Sequence, residues 1–238
     1  MILKKRLLLT FPIIFFFLAT FGCVPKAYKH LALETRAKDI KTLGLGPPDI
    51  EIYSLDAEGR HKLIEGWCDK GKENILNVLI EIFEEKAVKT KLLNVNKEDK
   101  EEMNRIQTWY KTADIDIEKK DFCYSLDSFE KISERYGVDA FILVDATDEI
   151  STAGRKAKGF LIGFINIAIE DIVGVYGARP FYEPQKGITV IRIALVEKSG
   201  SILWHRGMQS EGAYDLRSPE SAEELIKMSL KEFPSLGK

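Results

Sequence analysis

The sequence predicts an α/β fold: a single domain in which a mixed β-sheet has helices packed over it, with an apolar insertion before the C-terminal hairpin. Three observations carry this expectation. Two nearly unbroken apolar runs, Asp139–Asp145 and Ile188–Val196, suit strands covered on both faces. Apolar residues spaced three and four apart mark helices over Gly71–Lys86, Leu126–Tyr136 and Ala222–Phe233, each with one buried stripe. Strands and helices also alternate along the chain, which points to helices layered on a sheet.

Taken in order, Asp49–Leu55 alternates apolar and polar residues and reads as a first strand. In Gly71–Lys86, Ile75, Leu79, Ile82 and Phe83 share one face and acidic residues take the other. Val88–Val95 reads as a strand. Lys97–Tyr110 reads as a charged surface helix whose modest stripe is Met103, Ile106, Trp109 and Tyr110. Leu126, Phe129, Ile132 and Tyr136 form the next helix, stopped by Gly137. Lys198-Ser199-Gly200-Ser201 joins Ile188–Val196 to Ile202–Met208 as a tight hairpin turn. Ser218 is placed to cap a final helix, with Pro219 first in it and Glu220 favourable in its first turn.

The N-terminus carries a different message. Lys4, Lys5 and Arg6 precede an almost wholly apolar stretch, Leu7–Phe21, the order of a secretory signal. That stretch is shorter than the ~20 residues of a spanning helix, and Pro12 interrupts it. Residues 1–22 are therefore expected to be a signal peptide, 23–48 a tether, and 49–238 the α/β domain, with an insertion at 151–187. The leader holds three of 35 basic residues and none of 37 acidic ones, so the remainder is five charges negative. Nothing in that balance recommends nucleic acid as a partner.

Leu18-Ala19-Thr20-Phe21-Gly22-Cys23 resembles the lipobox of bacterial lipoproteins. Gly22 fits the pattern; Thr20 stands where leucine is usual, and Phe21 is bulkier than the usual small residue. The resemblance implies diacylglyceryl and further acyl modification of Cys23, palmitate included, after cleavage. Ordinary signal cleavage and an uncleaved anchor stay open. Val24 follows where aspartate would favour inner-membrane retention, which points to the outer membrane, facing the periplasm, in a Gram-negative cell. Cys68 and Cys123 are the other cysteines; a disulfide between them and two separate thiols are both open.

The C-terminal half also resembles a superfamily of envelope lipoproteins that includes the curli-secretion lipoprotein and the N-terminal domain of TolB. The resemblance rests on Gly137-Val138-Asp139 before a buried strand, on Ser199-Gly200-Ser201-Ile202-Leu203-Trp204, and on the closing Phe233-Pro234. It covers about residues 126–235, and its motifs specify a fold. It implies a binding or assembly component and not an enzyme; an oligomeric export component is one form of that.

The sequence carries no HExxH, no Walker loop, no Gly-x-Ser-x-Gly elbow and no dinucleotide fingerprint. No cofactor or metal site is expected. His30 and His61 read as solvated, and His205 as a sheet residue. Asp145, Asp148 and Glu149 cluster where a buried strand ends. A solvated strand end explains them, and paired carboxylates of an envelope glycan or peptidoglycan hydrolase are the alternative. The stretch 158–177 is apolar on too many sides for a surface helix, while Asn166, Glu170 and Asp171 argue against a spanning one. Burial under its own domain, a partner or self-association surface, and the bilayer interface remain open there. Phe160, Phe164, Ile167 and Ile172 are its candidate contacts. The expected whole is a non-catalytic lipoprotein, held to a bilayer through acylated Cys23, that binds envelope proteins or itself.

Overall fold

The computed structural model describes residues 26–56, 58–86, 88–94, 96–115, 129–151, 187–212 and 214–237. The α/β architecture is as expected: one mixed sheet between two helical layers. Its strands are β1 (Tyr28–Lys29), β2 (Thr42–Leu45), β3 (Asp49–Leu55), β4 (His61–Leu63), β5 (Lys89–Leu92), β6 (Ala140–Ser151), β7 (Ile188–Glu197) and β8 (Ile202–Glu211). The helices are α1 (Leu33–Arg36), α2 (Glu65–Glu85), α3 (Lys97–Thr112), α4 (Phe129–Tyr136) and α5 (Pro219–Ser229). The sheet runs β1-β8-β7-β6-β2-β5, with β3 also on β6 and β4 on the outer side of β3.

β6 is the centre. Its first residues pair in parallel with β2, and Asp145–Ser151 pair in parallel with β3. Its other edge pairs antiparallel with β7. Alternate β6 residues therefore enter two cores. Ile142, Val144 and Ala146 meet α2 and α5 through Ile75, Leu79, Leu225 and Ile226. Phe141 and Leu143 meet α3 and α4 through Met103, Ile106, Tyr110, Phe129 and Ile132. Trp204 closes the first core, with its ring 5.1 Å from Phe233, which in turn lies 5.3 Å from Phe83.

The stretch 23–48 is corrected most. Of its described part, Tyr28 and Leu43 are fully buried, and β1 and β2 are sheet strands against β8 and β6. The Asp139 carboxylate accepts from the backbone N–H groups of Lys41 and Thr42, both at 2.9 Å, and so ties the start of β2 to the start of β6. Four-residue β2 is too short to show an alternation that a polar surrounding does not blur, so its sequence resembles a linker. His30, expected in solvent, is 9% exposed, and its Nδ1 accepts from Ala32 N–H at 3.0 Å.

Helix α2 begins six residues ahead of the expected Gly71. Gly71 is a close-approach residue: a Cβ there would sit 2.9 Å from Ile52 Cδ1, so the glycine lets the helix lie directly on β3. Ser218 caps α5 by accepting from Ser221 N–H at 3.3 Å, and the β7–β8 turn places Gly200 at φ 85°, both as the sequence predicts. No helix among the described residues is long and apolar enough to cross a membrane. Cys23, Cys123 and the contact residues Phe160, Phe164, Ile167 and Ile172 lie outside the described residues.

Leu43→Ala tests whether β2 belongs to the core. It should lower stability by about 2–5 kcal/mol in urea unfolding, whereas Lys38→Ala should leave the midpoint unchanged. A negligible effect at Leu43 would return the stretch to a tether.

Candidate functional site

Odd-numbered β6 residues point toward α3, and there Asp145 meets a polar group set into the second core. It lies opposite Arg192 on β7 and Asp49 on β3. Arg192 donates from Nε at 2.9 Å and from Nη2 at 2.6 Å to Asp145 Oδ2. The same Nη2 donates to the Lys111 carbonyl at the end of α3, at 2.6 Å. Lys111 Nζ reaches back to Glu51 at 2.6 Å and to Asp49 at 3.8 Å. Two cations thus offset most of the charge of three carboxylates drawn together on neighbouring strands. The Arg192 guanidinium lies 5.7 Å from the Tyr110 ring centroid, and His205 meets that ring edge-on at 5.8 Å.

Several atoms of this set have no hydrogen-bond partner among the described residues: Asp145 Oδ1, the Tyr110 hydroxyl and both His205 ring nitrogens. Burial, helped by the nearby Arg192 charge, lowers the His205 pKa to about 4. The imidazole is neutral at physiological pH. Burial likewise raises Tyr110 well above the ordinary phenol range.

The three strand-end carboxylates do not form a catalytic pair. Asp145 and Asp148 are 4% and 0% exposed, so neither belongs to a solvated strand end. Asp148 points into the opposite core, where it accepts from Thr189 Oγ at 2.8 Å and Leu216 N–H at 3.0 Å; burial raises its pKa. Glu149 shares the Asp145 face but sits roughly 13 Å along the strand, beside His61 Nδ1 at 3.3 Å. Inverting glycosidases hold their carboxyl groups roughly 6.5–9.5 Å apart and retaining ones closer still. Asp145 and Glu149 are therefore not assembled for that chemistry. Among the described residues no group of three or more His, Cys, Asp or Glu side chains is placed to hold a metal ion. Cys68 is a free, buried thiol whose sulfur accepts from Ile52 N–H at 3.2 Å. It is packed on β3; Cys123 lies outside the described residues.

A second feature went unread in the sequence. Beyond β2 the chain passes through Gly46-Pro47-Pro48, and prolines have no N–H to continue a ladder. The sheet opens there into a cleft of about 620 Å³, lined by Pro47, Pro48, Lys72, Leu93, Lys100 and Met103 among others. Gln107 fixes one wall by donating to the Pro47 carbonyl at 3.1 Å. The cleft lies at the carboxyl ends of β2 and β5, where open α/β sheets place ligand sites. Its edge continues into β5, which among the described residues pairs with β2 on one side only. Leu93 N–H donates to Leu45 O at 3.0 Å, so by alternation Thr90 and Leu92 turn their main-chain groups outward. Leu92 is 52% exposed. The sequence signal was the Gly-Pro-Pro interruption, which reads equally as a linker end.

No family model matches the chain, and no curated protein matches it. Among solved structures it is similar to a PelC L103M dodecamer from Paraburkholderia phytofirmans. The identity is 6%, over 85% of this chain and 94% of that chain, with a TM-score of 0.33. At that depth no property of the neighbour transfers to this chain.

Two measurements test the polar set. Asp145→Ala leaves Arg192 without its counter-ion and should cost about 3–5 kcal/mol, most of it recovered when Asp145→Leu is combined with Arg192→Met. An Asp145→Ala protein as stable as wild type would show that the pair contributes nothing. His205 has its folded pKa below its unfolded one, so its contribution is present above pH 6.5 and is lost as pH falls toward 4. Wild type should lose about 3 kcal/mol more than His205→Gln over that window. Parallel pH profiles would refute the buried neutral imidazole.

Proposed function

We propose that this chain is a membrane-anchored lipoprotein of the bacterial cell envelope that acts by binding protein partners and not by catalysis. The anchor reading rests on the positive segment, the apolar stretch and Gly22-Cys23. Val24, where aspartate would favour inner-membrane retention, favours the outer membrane, facing the periplasm, in a Gram-negative cell. Two acyl chains or more give lasting attachment, since each buried methylene contributes ~0.8 kcal/mol. The binding reading is favoured by the way the strand-end carboxylates are individually engaged.

The observation that carries the binding reading is the edge of β5 beside the cleft, which is unpaired among the described residues. An extended segment of a partner can add to such an edge through main-chain hydrogen bonds and place alternate side chains into the adjoining cleft. Lys89 and Lys91 on β5, with Lys72 and Lys100 at the cleft, favour an acidic segment. Edge lysines also discourage two copies from pairing edge to edge, where like charges would face one another. The apolar 158–177 stretch, through Phe160, Phe164, Ile167 and Ile172, is a second contact favoured by its composition alone.

Fluorescence anisotropy of the full chain with an eight-residue peptide of alternating Glu and Val tests the edge. Binding should weaken at 0.5 M salt and be lost in Thr90→Pro, which removes an outward N–H, and in Lys89→Glu with Lys91→Glu. If the peptide fails to bind, or Thr90→Pro binds as well as wild type, the β5 edge is not the recognition surface.

A further inference from the structure

Two arginines are set into β7 and β8 on opposite faces of the sheet, and they differ in one respect. Arg192 has the Asp145 carboxylate and a main-chain carbonyl. Arg206 is 1% exposed, and neither its Nε nor its Nη1 has an acceptor among the described residues. It stands opposite Ile193 in the core under α5, between Trp204 and Met208 on the same face. The Trp204 indole N–H, fully buried two residues away, also lacks an acceptor. A guanidinium stays charged at every physiological pH, and a buried charge without a counter-ion is strongly destabilising. Glu232 lies close enough for its carboxylate to feel Arg206, yet it is held by Lys29 Nζ at 2.8 Å. Lys29 is opposite Trp204 in the β1–β8 register, so its ammonium belongs to the same corner. Three kinds of donor thus share one face of the β1–β8 edge, and the one carboxylate that feels both cations is already engaged by Lys29.

We propose that Arg206, Trp204 and Lys29 form a site for a phosphate group, supplied by a phospholipid headgroup. Phosphate offers three or more acceptor oxygens to donors arranged around it, where a carboxylate offers two. The headgroup source rests on the acylation reading given above. β1 begins five residues after Cys23, a span of at most roughly 18 Å when extended. An acylated Cys23 therefore keeps the β1–β8 edge, and Arg206 with it, close to the headgroup layer. Binding opens the half-exposed Lys29–Glu232 pair and gives the buried guanidinium its missing counter-ion.

The test uses the full chain purified in detergent, as wild type and as Arg206→Gln. Inorganic phosphate should raise the melting temperature of wild type and leave Arg206→Gln unmoved. Native mass spectrometry should find phospholipid retained by wild type and lost from the variant. Should Arg206→Gln fail to fold, Trp204→Phe replaces it, with half-saturation by phosphate weakened roughly ten-fold. A phosphate response without retained lipid upholds the anion site and overturns the headgroup as its source. No phosphate response, or lipid held equally by wild type and variant, overturns the site. Peptide mass of the N-terminus reads Cys23 acylation separately: an unacylated chain with an intact phosphate response removes the lipoprotein reading and leaves the site standing.

Discussion

The pairing of β6 on both edges is the constraint from which the architecture follows. Along one edge it must accept two separate strands, because β2 and β3 are divided by Pro47 and Pro48. Antiparallel β7 holds the other edge in continuous register from Ala140 to Asp148. The division leaves a notch in the sheet, and α3 packs across it, with Met103 Cε reaching Gly46. The cleft and the beginning of β3 are thus consequences of one interruption in one ladder.

That interruption also explains the buried charge. Immediately past it, Asp49 and Asp145 are register partners, and Glu51 follows. Carboxylates this close raise one another's energy unless cations intervene, and Arg192 and Lys111 do so. Removing one member of such a set is costly, while replacing the whole set by apolar groups often is not. Its effect is positional: it locks the end of α3 to β3, β6 and β7. The same face holds Tyr110 and neutral His205, whose unpaired polar atoms cost less than an unpaired charge.

The N-terminal segment changes how an anchor would act. A flexible tether would let the domain sample a volume above the bilayer. With Tyr28 fully buried against β8, only the few residues between it and Cys23 are left to span any gap. Under the lipoprotein proposal the β1–β8 edge faces the membrane and the β5 edge, at the far side of the sheet order, faces away from it. A partner-binding edge turned toward the periplasm is consistent with that orientation.

What the sequence by itself determined is whatever depends on local pattern. Buried β6 and β7 show as apolar runs, α5 shows through Ser218 and Pro219, and the hairpin shows through Gly200, because period, capping and positive φ are properties of neighbouring residues. The tertiary structure decided the rest. Tyr28 and Leu43 look like linker residues until strands far along the chain, at His205 and Ala140, pair with them. Asp145 and Glu149 look like a pair until the rise of a strand separates them and Arg192 claims one. Arg206 gives no sign in the sequence of being buried, since burial comes from its place on the sheet face that packs under α5. Register, burial and charge pairing are long-range relations, and a chain read one window at a time does not contain them.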